Sequence, residues 1–247
     1  MTRLFLLLLC AVFWTTVNAG PQINVGTVYD YLDGEKSTYL KRVFNSGDAT
    51  AFVKVNVLEI VYDGEGQPKE VPVTNAADGA SRNGLMASPA RLIIPAQGMQ
   101  GTRLLYMGDR DRERYFRVRF VPVVPEKEDD FVVSSEERED YKKTLSAGVN
   151  VMTGFGTVFF VRPKDARYDT VLNDTGNRYE VRNNGNTVVV VDEFKSCSLD
   201  KETDCGATVK HHVMAGRTFG FDKEKGREYR FKLVEGERKQ DLKVVSR

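Results

Sequence analysis

Apolar and polar residues alternate along much of this chain, which is the pattern of β-strands with one buried face. The clearest example is residues 51–60, which Asp63-Gly64-Glu65-Gly66 follows as a hairpin turn signal. No stretch repeats its apolar residues with the 3.6-residue period of a helix. The other strands predicted in the first part of the chain are residues 39–44, 102–106, 115–121 and 149–161.

A second group of strands follows the sequence Arg162-Pro163-Lys164-Asp165. The proline ends the long strand before it, because proline cannot donate a hydrogen bond to a sheet. We therefore predict an all-β protein with two antiparallel β-sandwich domains, residues 20–163 and 164–247. The strands predicted in the second domain are residues 178–182, 187–194, 208–214, 218–221, 227–234 and 241–245.

Residues 126–147 interrupt this pattern with two acidic runs, Glu126-Lys127-Glu128-Asp129-Asp130 and Glu136-Glu137-Arg138-Glu139-Asp140. They form a long polar connection between two strongly patterned strands, and such connections are commonly functional or mobile. A solvated surface loop without a partner is an equal interpretation of the same charges.

Residues 1–19 have the features of a signal peptide. Arg3 supplies the positive charge, and residues 4–14 are apolar but too few to span a bilayer comfortably. Val17-Asn18-Ala19 precedes the expected cleavage point. A membrane anchor is the weaker alternative, because no stop-transfer pattern follows. We expect cleavage after Ala19, export to the periplasm and no membrane insertion afterwards.

The charge balance argues against nucleic acid as a partner. The chain has 36 Lys and Arg residues against 35 Asp and Glu residues, so it carries no basic footprint. Hydrophobic residues make up 41% of the chain, which is enough to bury a core. A partner must therefore be held by shape, by backbone pairing or by a few local charges.

Two cysteines, Cys197 and Cys205, remain after the predicted cleavage. A pair of cysteines in an oxidising compartment favours a disulfide. A metal site with His211 and His212 is the rival interpretation, but the spacing of these four residues does not place them on one ion.

The sequence contains no catalytic constellation, and we predict a protein that is not an enzyme and has no cofactor or metal. The two histidines are adjacent, and the carboxylates fall in loops and charge runs. Gly154-Phe155-Gly156 lacks the following helix of a phosphate-binding loop. An enzyme whose site is assembled only in three dimensions stays an alternative.

Residues 148–163 form the most informative segment. The predicted strand is long, since most strands run to about six residues. Val149, Val151, Thr153 and Phe155 would share one of its faces. An exposed edge strand of this kind can pair with a strand of another protein and fill that protein's pockets with alternate side chains. An ordinary long core strand is an equal interpretation.

Several short motifs occur in a fixed order behind the signal peptide. In chain order they are Tyr31-Leu32-Asp33-Gly34-Glu35-Lys36-Ser37, Asn45-Ser46-Gly47, Ser88-Pro89-Ala90-Arg91-Leu92-Ile93-Ile94-Pro95-Ala96-Gln97-Gly98, Gly101-Thr102-Arg103, Asp111-Arg112-Glu113-Arg114-Tyr115-Phe116, residues 120–125 and Phe159-Phe160-Val161-Arg162-Pro163. Their order and spacing resemble those of the periplasmic pilus (fimbrial) chaperones of the chaperone–usher pathway. This resemblance covers most of the mature chain.

The resemblance implies two immunoglobulin-like β-sandwich domains set at an angle, in a boomerang shape. It implies a chaperone that binds and stabilises pilus subunits and delivers them to an outer-membrane usher. In that family the long strand before the linker completes the fold of a subunit that lacks its own last strand. The matching donor-strand residues here are Val149, Val151 and Thr153, with Phe155 as a fourth.

The resemblance also implies an interdomain salt bridge of Glu113 and Arg162, with Glu235 as its third member. Two unrelated surface charges are the alternative for this pair. A structural or adhesive immunoglobulin-like surface protein of a pilus is the alternative for the whole chain, and it would be found in sheared surface fractions rather than in the periplasm.

The chain departs from the family at the residues that anchor the subunit's terminal carboxylate. Residues 23–31 contain no basic residue, and Thr157-Val158 stands where the family's long strand has a lysine. These departures are similar to the alternate branch that serves colonisation-factor and cable-type pili. A carboxylate still needs donors there. The substitutes that we nominate are Thr157, Arg117, Lys41 and Arg42, although a solvent-facing role is commoner for any one such charge.

Overall fold

The computed structural model describes residues 20–63, 65–73, 83–146, 151–201 and 204–246. The signal peptide predicted over residues 1–19 lies outside these ranges, as does Val149. Strands dominate, as the alternating pattern predicts. Their bounds are β1 Ile23–Asn24, β2 Tyr29–Leu32, β3 Thr38–Asn45, β4 Ala51–Tyr62, β5 Pro68–Pro72, β6 Gly84–Ser88, β7 Arg91–Ile94, β8 Met99–Met107, β9 Arg114–Val123, β10 Phe155–Val161, β11 Thr170–Asp174, β12 Arg178–Asn183, β13 Val189–Ser198, β14 Val209–Val213, β15 Thr218–Asp222, β16 Arg227–Glu235 and β17 Arg238–Val245.

The first ten strands form two facing sheets. Sheet A has the order β1-β3-β8-β6, and sheet B has the order β2-β10-β9-β4-β5, with β7 also paired to β4. The inward-facing residues of both sheets pack into one core, whose largest fully buried side chains include Phe116, Phe120 and Phe159. We call this pair of sheets the first sandwich.

The remaining strands form a second sandwich with a separate core. Sheet C has the order β11-β12-β15, and sheet D has the order β14-β13-β16-β17. Val181, Val189 and Val191 are fully buried in its core, with Phe231 and Leu233 packed beside them. Cys197 and Cys205 are joined in a disulfide, which confirms the predicted pairing. The predicted class, two immunoglobulin-like sandwiches, is likewise confirmed.

The start of the chain changes sheets. β1 pairs with β3 in sheet A, and β2 pairs in parallel with β10 in sheet B. Gly26 lies in the crossing segment with a φ of 67°, a backbone conformation that glycine adopts without a steric penalty. Between the sheets, the buried Lys41 side chain donates to Asp30 at 2.6 Å and to the Thr27 carbonyl at 2.6 Å. This buried ion pair ties the crossing segment to β3.

β10 is shorter than the strand predicted over residues 149–161. It begins at Phe155, and residues 151–154 are not in a strand. Its partner strand β9 gives a physical reason. The register pairs Phe155 with Phe120, so the next residues of β10 would meet Val121 and Pro122. Pro122 has no N–H to donate, which removes a ladder hydrogen bond at this point.

The acidic connection is not a simple loop, so the prediction for residues 126–147 was wrong in this respect. It contains a 3₁₀ helix, Lys127–Asp129, and an α-helix, α1, Ser135–Ser146. Ser134 caps α1: its hydroxyl accepts from the Glu137 N–H at 3.1 Å, and the Glu137 carboxylate accepts from the Ser134 N–H at 2.7 Å. This reciprocal pair is a capping box, which a Ser-x-x-Glu sequence signals.

The acidic connection packs on the outer face of sheet B. Phe52 of β4 contacts the rings of Phe131 and Tyr141 edge to face, with centroids 5.3 and 4.8 Å away. The Tyr141 hydroxyl donates to the Thr50 carbonyl at 2.7 Å. In the part of the chain that the structure describes, no helix is long and apolar enough to cross a membrane.

Candidate protein-binding site

One edge of β10 is only partly covered. On one side, β9 pairs with all seven residues from Phe155 to Val161. On the other side, β2 pairs only with Val158–Val161, and the Val158 N–H donates to the Val28 carbonyl at 2.8 Å. Within the described ranges, residues 155–157 have no strand partner on that side. We call this three-residue stretch the open edge.

The predicted donor residues surround the open edge. Phe155 is the first residue of β10, and its half-buried ring packs against the core of the first sandwich. Val151 and Thr153 lie just before the strand and are exposed, with 81% of Val151 accessible to solvent. An apolar side chain so exposed next to an unpaired strand edge is available for contact with another protein.

Two arginines lie beside the open edge, on the outer face of sheet B. Arg117 and Arg119 alternate along β9, and Val158 and Gly156 of β10 are their register partners. A depression of about 330 Å³ is lined by both arginines, Glu70, Val121 and residues 154–156. The Glu70 carboxylate accepts from the Arg117 Nε at 3.0 Å and also contacts Arg119. We call these three charged residues the cleft cluster.

The four nominated carboxylate anchors do not lie together. Arg117 is in the cleft cluster. Thr157 is buried, faces the core and donates to the Val118 carbonyl at 3.4 Å. Lys41 is buried between the sheets in its ion pair with Asp30, and Arg42 is exposed on β3 of sheet A. The geometry therefore corrects three of the four nominations, because these three side chains do not lie on the cleft face of sheet B.

The predicted three-membered salt bridge is also corrected by the geometry. Arg162 pairs with Asp33 at 2.8 Å, within the first sandwich. Glu235 accepts from the Thr170 hydroxyl at 2.7 Å, within the second. Glu113 does connect the two sandwiches, but through hydrogen bonds rather than an ion pair. Its carboxylate accepts from the Thr187 hydroxyl at 2.6 Å and from the Val188 N–H at 2.9 Å.

Burial raises the pKa of Glu113, and its hydrogen bonds from Thr187, Val188 and Tyr115 oppose that shift. A buried carboxylate can persist in this position because three donors satisfy its oxygens. Glu113 therefore fixes the start of β9 to the second sandwich at Thr187–Val188.

Sequence reasoning missed a second contact between the sandwiches. His212 of β14 lies 2.6 Å from the Tyr31 hydroxyl through its Nε2. Its ring stacks on Phe160 with centroids 5.0 Å apart, and the Tyr29 ring is 4.2 Å away. Burial lowers the pKa of His212 to about 4, with a smaller contribution from Lys210. The only signal in the sequence is that these aromatic residues alternate on the outward positions of β2 and β10.

The histidines and cysteines do not form a metal site. His211 stacks on Phe219 with centroids 4.1 Å apart, and both cysteines are in the disulfide. Over the described ranges, no group of three or more His, Cys, Asp or Glu side chains could hold a metal ion.

Comparison with known proteins gives relatives of one kind. The probable fimbrial chaperone EcpB of Escherichia coli O157:H7 (strain EC4115 / EHEC) is 25% identical over 180 residues, which cover 69% of this chain and 72% of EcpB. The chain is a homologue of the fimbrial chaperones. No family model matches this fimbrial-chaperone homologue.

Solved structures give the same fold. The crystal structure of the class 5 fimbriae chaperone CfaA matches 91% of the fimbrial-chaperone homologue and 99% of its own chain, with a TM-score of 0.54 and 18% identity. A structure of Salmonella enterica SafA pilin in complex with the SafB chaperone matches 91% of this chain and 96% of its own, with a TM-score of 0.53 and 14% identity. The two-sandwich architecture is thus that of known pilus chaperones.

Proposed function

We propose that this chain is a periplasmic chaperone that binds and stabilises pilus subunits through the open edge and the residues before it, and delivers them to an outer-membrane usher. The observation that carries the proposal is the open edge itself, since β2 leaves three residues of β10 without a partner. A strand from a subunit can add there by backbone hydrogen bonds, and no catalytic step is needed. The chaperone relatives support the same role.

In this proposal the donor residues are Val149, Val151, Thr153 and Phe155. Their alternation places them on one face of an extended segment, so that they would enter the same groove of a subunit. Burying an exposed valine contributes about 1.5–3 kcal/mol to such a complex. Val151 is 81% exposed and so has most of this free energy available.

We propose Arg117 as the anchor for a subunit carboxylate. It projects from the cleft face beside Val158, next to the point where the open edge ends. A guanidinium can donate two parallel hydrogen bonds to a carboxylate, which gives both strength and orientation. We also propose that residues 20–163 form the subunit-binding domain, that residues 164–247 form a second domain, and that residues 1–19 direct export.

The test is co-expression of candidate pilus subunits with a Val149→Asp/Val151→Asp variant. We expect subunit recovery from the periplasm to fall at least about tenfold, because charged residues would have to be buried in the subunit groove without partners. Val171→Asp is the matched control, since Val171 is an exposed valine of β11 in the second sandwich. Undiminished recovery with the double variant would disprove donation by this segment. Presence of the chain in sheared surface fractions would instead favour a structural pilus protein.

A further inference from the structure

One carboxylate of this chain holds both arginines of the cleft cluster. Glu70 lies on β5, two strands away from β9 in sheet B. Its Oε1 accepts from the Arg117 Nε at 3.0 Å, and its Oε2 accepts from the Arg119 Nη2. The arginines are two residues apart on β9, so both side chains project from the same face of the strand. Together they form a single site for one carboxylate.

Arg117 also faces the open edge. Gly156 lies on β10 within that edge, and a Cβ placed on it would be 3.3 Å from the Arg117 Cδ and 3.9 Å from its Nη1. The guanidinium therefore lies between two strands: its Nε is directed at Glu70, and its Nη1 lies close to β10. A carboxylate arriving along the open edge meets the same guanidinium that Glu70 holds.

The accessibility of the cleft cluster makes exchange of its carboxylate feasible. The Arg117 and Glu70 side chains are 30% and 27% exposed, and Arg119 is 50% exposed. Water and salt screen ion pairs with this exposure, so such a pair shifts an equilibrium by at most about fivefold. By contrast, the side chains of Lys41 and Asp30 are 4% and 2% exposed, and that pair cannot exchange its partner without uncovering a buried charge.

We propose that Glu70 is a built-in competitor for the anchor site, which occupies Arg117 and Arg119 until a carboxylate of the bound subunit displaces it. This inference rests on the proposed function, since the displacing group belongs to the subunit. Glu70 keeps the two cations neutralised in the free chaperone, and it weakens subunit binding by the free energy of its own pairs. The site is thereby reversible, which delivery of the subunit to another protein requires.

The test is an NMR titration of the mature protein with N-acetylglycine, a small molecule with one carboxylate. The Nε–H signals of Arg117 and Arg119 report on binding. We expect Glu70→Gln to bind the probe about two- to fivefold more tightly than the wild type, because the internal carboxylate is gone. N-acetylglycinamide, which lacks the carboxylate, should shift neither signal. Adding Arg117→Gln to Glu70→Gln should abolish the tighter binding.

Glu180→Gln is the matched control. It removes a carboxylate from the Arg178 pair, in which the Nε–Oε1 distance is 3.1 Å and the side chains are 43% and 33% exposed. This variant should bind N-acetylglycine as the wild type does. If Glu70→Gln is poorly folded, Glu70→Ala repeats the measurement. Equal affinities of the wild type and the folded Glu70 variant would overturn the proposal.

The titration uses no subunit, so its outcome is separate from that of the proposed function. Failure of the chaperone role shows as undiminished subunit recovery with the donor-segment variant. Failure of the competitor role shows as unchanged N-acetylglycine affinity in the Glu70 variant. With a subunit in hand, Glu70→Gln should also raise its affinity, whereas the donor-segment variant should lower it.

Discussion

The first sandwich contains two clusters of opposite charge that differ mainly in their access to water. Between the sheets, Lys41 and Asp30 form a buried pair, and the Thr27 and Tyr39 hydroxyls donate to Asp30 at 2.7 and 2.8 Å. On the outer face of sheet B, Glu70 joins two arginines in the half-exposed cleft cluster. The buried cluster is fully hydrogen-bonded, and the cleft cluster is open to exchange.

The difference shows why a basic residue near a predicted cleft is not thereby a ligand-binding residue. Removing one member of a buried pair leaves an uncompensated charge, so the pair acts as a structural fastener. A half-exposed pair contributes little to stability, so its members can bind a ligand at small cost. Lys41 belongs to the first kind and Arg117 to the second. The following predictions test that division, beginning with the largest effect.

Lys41→Met should destabilise the protein by about 3–5 kcal/mol, because it leaves the Asp30 carboxylate buried without its cation. The free energy of unfolding, measured in urea, gives the value. Lys41→Met combined with Asp30→Asn should recover most of the loss, since the amide keeps an acceptor for Tyr39 and carries no charge. A loss below about 1 kcal/mol for the single variant would show that the pair is not a fastener.

His212 tests whether the contact between the sandwiches is as dry as the buried cluster. Its pKa is depressed from 6.5 to about 4 in the folded state, so its contribution is fully present above pH 6.5 and is lost as the pH falls toward 4. Allowing for its partial exposure, we expect a loss of about 1–2 kcal/mol over this window. His212→Gln should remove that part of the pH dependence. Unfolding in urea at several pH values measures it for both proteins.

If the wild type and His212→Gln show the same pH dependence between pH 6.5 and 4, the histidine is well solvated, and this contact resembles the cleft cluster instead. Glu113 titrates in the opposite sense, because its raised pKa favours the protonated form in the folded state. Comparing the two proteins at each pH cancels this contribution, since both retain Glu113.

Glu70→Gln should change stability least, by at most about 1 kcal/mol, because the pairs it breaks are half exposed. The effect should shrink further in about 1 M salt, where the screening length is only about 3 Å. Thermal unfolding at low and high salt measures both statements. A salt-independent loss as large as that of Lys41→Met would erase the distinction between the two clusters.

The alternating pattern was sufficient to predict most strands and the two-sandwich fold. Residues 51–60 fall within β4, and the predicted strands of the second sandwich match the observed ones within a few residues. Helix α1 was missed because its apolar contacts with the core come from few residues, notably Leu145 and Tyr141. The capping sequence Ser134-x-x-Glu137 was the available signal.

The candidate site was only partly predictable. The donor segment could be proposed because it shows as a long alternating run that ends at a proline. The partners of charged residues could not, because strands distant in sequence bring them together. Glu70 lies 47 residues before Arg117, and Asp33 lies 129 residues before Arg162. Periodicity shows which face a residue occupies, but not which sheet stands opposite or which carboxylate reaches it.

The parallel pairing of β2 with β10 has a consequence for the length of any strand that binds here. Because β2 occupies the edge from Val158 onward, an added strand meets the backbone of Val28 end-on and must stop there. The chaperone therefore measures where a guest strand terminates as well as what side chains it carries. A guest one residue longer would have to shift its register by one, which turns every inward side chain outward.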